Sequence, residues 1–237
     1  MNKEYTVWPV GKLPKEWQRP ELDLIKEKGY NWKDPRDVID IFEKKVAKFA
    51  GSKYAVAVDC CSHGLLLCMK YLKCKETITI PKNTYVSTPM QILHSGCNVE
   101  FESLNWSGVY QLKPYPIWDG AVRWQKGMFI GGEDDLQVVS FQIKKRVPIG
   151  RGGMIMTNSK EAYEWFKYAS YDGRDLTKQY MDDDFKMVGW HFYMTPEDAA
   201  RGILLMDQIP EHNKDTGNSK TYSDLSKNII FKNNPHI

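Results

Sequence analysis

The chain has 237 residues, 42% of them hydrophobic and 27% charged, with a formal net charge of +3. That apolar content can bury a full core and excludes a disordered or low-complexity protein, while the small, dispersed charge gives no reason to expect a nucleic-acid partner. The N-terminus is polar rather than signal-like and no apolar run approaches membrane-spanning length, so a cytoplasmic location without membrane association is the expectation.

Taken in chain order, the first 34 residues read as an N-terminal arm. Residues 35–49 then place Val38, Ile41, Phe42, Val46 and Phe49 at helical intervals, with Gly51 as the stop. A buried strand follows at 54–59, ending in Asp59. Cys60, Cys61, Ser62, His63 and Gly64 open an apolar helix that runs to about Leu72. Strand, tight turn and helix N-terminus together make an anion site, because unpaired N–H groups and the helix dipole converge there. Further strands are expected at 77–80 and 98–102, separated by a helix near 87–94.

The five cysteines (60, 61, 68, 74 and 97) are odd in number and lack paired spacing, which reads as reduced thiols. Cys60, Cys61 and His63 invite a metal reading. Adjacent cysteines make a strained chelate, however, and no second ligand pair follows, so no metal is expected.

Downstream, a short strand at 115–118 ends in Asp119-Gly120-Ala121. An apolar run at 136–141 reads as a buried strand, with Ser140 near its end, and Lys144, Lys145 and Arg146 stand just beyond. The cluster Gly150-Arg151-Gly152-Gly153 then turns the backbone into another strand at 154–157. An amine held beside apolar walls and another cation loses its charge more readily than a free one, and a neutral amine attacks carbonyls to form a Schiff base. The plain alternative is a solvated basic turn. Residues 168–188 are too long for a simple connector and read as a mobile loop near an active-site mouth. A helix ends near Gln208, and 209–237 is a polar tail. Strands alternating with helices imply an α/β sandwich with a mostly parallel sheet and its site at the strand ends.

These segments, in this order, resemble the DegT/StrS family of pyridoxal-phosphate-dependent sugar aminotransferases, of the aspartate-aminotransferase fold type I. The motif Ser140-Phe141-x-x-x-Lys145-x-x-x-x-Gly150-x-Gly152-Gly153 is similar to the family's cofactor-lysine segment, which makes Lys145, rather than Lys144, the implied Schiff-base and proton-shuttling residue. The resemblance implies Asp119 as partner of the pyridine nitrogen, Tyr85 in Pro81-x-x-Thr84-Tyr85-x-x-Thr88 as the stacking platform, and Cys61, Ser62 and Ser140 around the phosphate. Gly189-Trp190-His191-Phe192-Tyr193-Met194-Thr195 looks like the segment that reaches a neighbouring subunit's site, so His191 and a homodimer are implied.

Some positions depart from the family pattern. Cys61 stands where glycine is usual, Val122 where a polar ring contact is usual, and Gln142 and Arg151 replace a histidine and an acidic residue. The family continues into a small C-terminal domain, so this chain reads as the large domain alone, with a separate polypeptide left open as the source of the rest. Small-molecule substrates, a keto-sugar acceptor and an amino donor such as glutamate, are what the family implies. The alternative is a non-catalytic or weakly active dimeric relative with a binding or regulatory role. A dehydratase is disfavoured, because related sugar dehydratases carry histidine at the lysine position.

Overall fold

A computed structural model of the chain describes residues 14–232. Fourteen regular elements follow one another: α1 (Glu21–Glu27), α2 (Asp37–Ala50), β1 (Tyr54–Val58), α3 (Cys61–Tyr71), β2 (Thr77–Pro81), α4 (Ser87–Ser95), β3 (Asn98–Glu102), β4 (Tyr110–Gln111), β5 (Ile117–Asp119), β6 (Leu136–Ser140), β7 (Gly153–Thr157), α5 (Lys160–Ala169), α6 (Pro196–Met206) and α7 (Ile229–Lys232). The first 13 residues of the N-terminal arm and the last five residues of the chain lie outside this range.

The main sheet has the order β1-β7-β6-β5-β4, and β2 and β3 form a parallel pair beside it. Side chains alternate across the strands as the pleat requires, and this builds two cores. Ala55, Ala57, Met154 and Met156 face Val38, Phe42 and Val46 of α2 and Ala199 and Ile203 of α6. Val56, Val58, Ile155 and Val138 face Leu65, Leu67 and Met69 of α3 and Phe166 of α5. Helices therefore cover both faces, giving three layers.

The parallel character expected of the sheet lies in direction rather than adjacency. β5 pairs with β6 in parallel, whereas β7 pairs antiparallel with both β1 and β6, and β4 antiparallel with β5. It follows that β1, β5 and β6 all run the same way. The chain reaches β7 from β6 through a turn instead of a crossover helix, so β7 must return in the opposite sense. The outcome matters for function: Asp59, Asp119 and Ser140, which end or follow those three strands, come out on one edge of the sheet.

Candidate functional site

The lysine turn is built on hydrophobic anchors. Phe141, Val147 and Ile149 are buried in the α2–α6 core, and between them the backbone closes on itself through Gly150 N–H to Phe141 O (3.1 Å) and Lys145 N–H to Gln142 O (2.8 Å). The turn needs its glycines. Gly152 has φ of +142°, and a Cβ on Gly153 would stand 2.6 Å from the Cys61 nitrogen, so only glycine lets β7 begin against the start of α3. Lys145 is thereby held half-buried on the wall of a 540 Å³ cavity, and its amine makes no hydrogen bond or ion pair with the described residues.

Asp119 lies on the same cavity, at the end of β5 and only 5% exposed. Its Oδ2 accepts from the Tyr110 hydroxyl (2.6 Å) and Thr88 Oγ1 (3.1 Å), and its Oδ1 accepts the Ala121 N–H (2.9 Å). Thr84 bonds the same tyrosine hydroxyl. Buried carboxylates need such donors. Burial, reinforced by the Asp119 charge, pushes the Tyr110 phenol well above its usual range, so it remains a donor. Tyr110, Thr84 and Thr88 were not singled out as site residues from the sequence, although both threonines stand in the quoted motif. Their spacing of one helical turn was the available signal.

Ser62, near the start of α3, donates to Ser87 Oγ at 2.8 Å, at the start of α4. Cys61 is nearly buried, and burial first, then Asp119, pushes its thiol well up, so it packs as a neutral group on the cavity wall. Ser140 lines the cavity between this helix start and the lysine turn. Tyr85 stands at the mouth, 60% exposed, with no ring packed against it among the described residues. Six of the seven candidate residues thus share one cavity.

His191 does not join them. Its Nδ1 lies 2.7 Å from Asp172, and its ring stands edge-on to Tyr193 on the outer side of β1. A role for it in a cofactor site therefore requires a second subunit. Residues 168–188 also miss this cavity: Tyr171, Arg174 and Thr177 line a second one, of 490 Å³. The three donor atoms that do converge near the helix start are those of Asp59, Cys60 and His63, within 4.8 Å of one another. Asp59 already holds His63 Nδ1 (2.7 Å) and Arg151 (2.8 Å). Hydrogen bonding to Asp59, then Cys60, raises the His63 pKa to about 9.

The fourth wall comes from residues composition reads as tail. Thr216, Thr221 and Tyr222 line the cavity, and Trp106 joins them from the loop before β4. Nothing in their sequence spacing pointed there.

The residues fit a planar, anionic aldehyde cofactor. An unpaired amine, a buried carboxylate, an uncovered aromatic face and a helix start flanked by hydroxyls face one space, each of a kind that such a group requires. Among the described residues no helix is long and apolar enough to cross a membrane.

Comparison with known proteins agrees. Residues 25–105 and 121–229 match the model of the DegT/DnrJ/EryC1/StrS aminotransferase family. Over 86 residues the chain is 31% identical to GDP-perosamine synthase of Escherichia coli O157:H7, covering 36% of this chain and 23% of that protein. It is 27% identical over 197 residues to the spore coat polysaccharide biosynthesis protein SpsC of Bacillus subtilis, covering 65% and 50%. Among solved structures, Spr1654 of Streptococcus pneumoniae in its PLP-form superposes with a TM-score of 0.64 at 15% identity, covering 80% of this chain and 64% of that one. The chain therefore spans half or less of these two curated relatives. The interruption at 106–120 falls on the segment that carries Tyr110 and Asp119, yet the fold returns Asp119 to the cavity beside the matched residues. By its matched segments and its type I fold, the chain belongs to the DegT/DnrJ/EryC1/StrS aminotransferase family.

Proposed function

We propose that this chain binds pyridoxal 5'-phosphate and takes part in transferring an amino group from a donor such as glutamate to a keto-sugar. The observation that carries the reading is the unpartnered amine of Lys145 on the same cavity as the buried carboxylate of Asp119, which three donors hold in place and which keeps acceptor capacity on Oδ1. When bound, the cofactor would supply an electron sink for the carbon that gains or loses a proton.

The chain's own groups do the rest. Lys145 would hold the cofactor covalently and, once released, its Nζ would take the proton from the amino-bearing substrate carbon and return it on the cofactor's side, which is the proton movement that amino transfer requires. Asp119 would keep a ring N–H charged, and Tyr110, Thr84 and Thr88 would hold that carboxylate in place. Tyr85 would cover the ring face. Ser62, Ser140 and the start of α3 with Cys61 would take the phosphate, where N–H groups and the helix dipole favour an anion. A sugar acceptor is supported by relatives that bear polysaccharide and perosamine names. A homodimer with His191 crossing to the other site accords with that residue's outward position.

The test is borohydride reduction after incubation with pyridoxal phosphate, followed by peptide mapping. The pyridoxyl mass is expected on Lys145; its appearance on Lys144, or on neither lysine, overturns the assignment. In a separate, unreduced sample, single-turnover exposure to glutamate should convert the bound cofactor to its amine form with release of the keto acid. Light scattering should give a dimer at micromolar concentration with cofactor bound, and a monomer overturns the composite site.

A further inference from the structure

Residues 211–225 form a strap that is sewn across the cavity. Lys126 N–H donates to Glu211 O (2.7 Å), and Arg146, next to the candidate lysine, donates twice to Lys214 O (3.2 and 3.0 Å). Arg123 grips Asp215 with two nitrogens (3.1 and 3.0 Å), and Thr216 N–H reaches Val122 O (2.8 Å). Farther along, Ser219 N–H donates to Trp106 O (3.0 Å), Asn83 Nδ2 to Tyr222 O (3.0 Å), and Leu225 N–H to Lys82 O (2.8 Å). The strap therefore touches the lysine turn at one end and the loop that carries Tyr85 at the other.

One side chain on the strap is unfinished. The hydroxyls of Thr216 and Thr221 are taken by Val122 O and Asn218 O. The Tyr222 ring lies parallel to Trp106 at 5.9 Å between centroids, and Trp106 in turn packs at 4.7 Å on Tyr110, the donor to Asp119. Yet the Tyr222 hydroxyl has no hydrogen-bond partner among the described residues, although the residue is half-buried and lines the cavity. It lies 3.4 Å from where a Cβ on Gly217 would stand, with Val122 Cγ1 at 3.1 Å and Thr221 Oγ1 at 3.3 Å from the same point, which places the hydroxyl where the strap meets Val122. Burial, followed by the charge of Asp119 and the nearness of Tyr85 and Cys61, raises its pKa, so it keeps its proton and can donate. A half-buried hydroxyl on a cavity wall with no protein partner among the described residues is a donor available to a bound group.

We propose that Tyr222 is a further cofactor-binding residue, its hydroxyl donating to the bound pyridoxal group beside Val122, and that the strap of residues 211–225 is the wall that presents it. The proposal rests on the cofactor reading above. The probe is pyridoxamine 5'-phosphate, which binds without a covalent bond, titrated into the full chain by tryptophan fluorescence. Tyr222→Phe keeps the stack on Trp106 and loses only the hydroxyl; it should weaken binding roughly 3- to 10-fold and leave the melting temperature of the ligand-free protein unchanged. Hydrogen exchange at the Thr216, Ser219 and Leu225 amides should slow on binding. Affinity within twofold of the parent, a loss matched by a fall in melting temperature, or unaltered exchange along the strap would each overturn the proposal while leaving the cofactor reading intact. Failure of the parent chain to bind the probe sinks both.

Discussion

The two large cavities differ in what their charges are doing. In the 490 Å³ cavity every lysine and arginine on the wall is matched: Lys167 with Asp40 and Glu43 (2.8 Å each), Arg36 with Asp34 (2.7 Å) and Arg174 with Asp183 (3.4 Å). Glu43, 3% exposed, also accepts the Ala57 N–H at 2.8 Å, which ties α2 and α5 to β1. Burial opposes the charge on Lys167, but Glu43 and Asp40 outweigh it and hold the ammonium above its ordinary range. In the 540 Å³ cavity Lys144 and Lys145 have no carboxylate partner among the described residues. Volume does not separate the two; the state of the charges does. Cations matched internally fit a scaffold role for the smaller cavity, and the unpaired amines fit the ligand-binding role proposed for the larger one.

The comparison breaks first at Lys145. Lys145→Ala should abolish covalent cofactor capture with little change in stability, whereas Lys144→Ala should retain it; equal loss in both variants, read by borohydride labelling, would show that position in the turn decides nothing. Glu43→Ala probes the other cavity. Removing one member of a buried pair leaves Lys167 with Asp40 alone and the Ala57 N–H without an acceptor, which should cost about 3 kcal/mol by urea unfolding, while cofactor affinity of the folded protein stays within twofold. A selective loss of affinity would mean that the second cavity is also a functional one.

His63, which lines neither cavity, tests the ion pair beside the helix start. Its folded-state pKa of about 9 exceeds the ordinary 6.5, so the stabilisation from its ion pair is fully present below about pH 6.5 and is lost as pH rises through about 9. Discounted for partial exposure, that is about 1 to 2 kcal/mol. The imidazole should titrate near 9 by NMR, and His63→Gln should remove this part of the pH dependence; a titration near 6.5 would contradict the Asp59 contact. The smallest effect is expected at Asp215→Ala, which unfastens the strap from Arg123 for about 1 kcal/mol. Limited proteolysis should then cut within residues 211–225 faster than in the parent, and unchanged cleavage would mean that the other bonds hold the strap unaided.

Much of this organisation is legible in local patterns. The helix of Val38, Phe42 and Val46 ends at Gly51, where φ is +85°, and strands expected at 77–80 and 98–102 occupy Thr77–Pro81 and Asn98–Glu102. Local rules suffice there because propensity, periodicity and turn chemistry agree. The path of β7 was not readable in the same way. Its direction depends on whether a turn or a crossover joins it to β6, and residues 142–152 carry apolar anchors that make the turn a closed unit.

Local pattern reached a basic turn after a strand, a strand-end carboxylate and a helix-start anion site; the resemblance to the DegT/StrS motifs was what singled out Lys145, Asp119, Tyr85, Cys61, Ser62 and Ser140. Only the tertiary structure decided that these six share a cavity while His191 faces away. Only it brought Tyr110, Thr84 and Thr88 onto one carboxylate, and laid a polar, asparagine- and lysine-rich segment over the opening with Tyr222 turned inward. The reason is physical. Periodicity reports which side of an element is buried, but a strap with one buried hydrophobic anchor at Leu225 and hydrogen bonds to distant loops on the order of one per residue leaves no periodic trace.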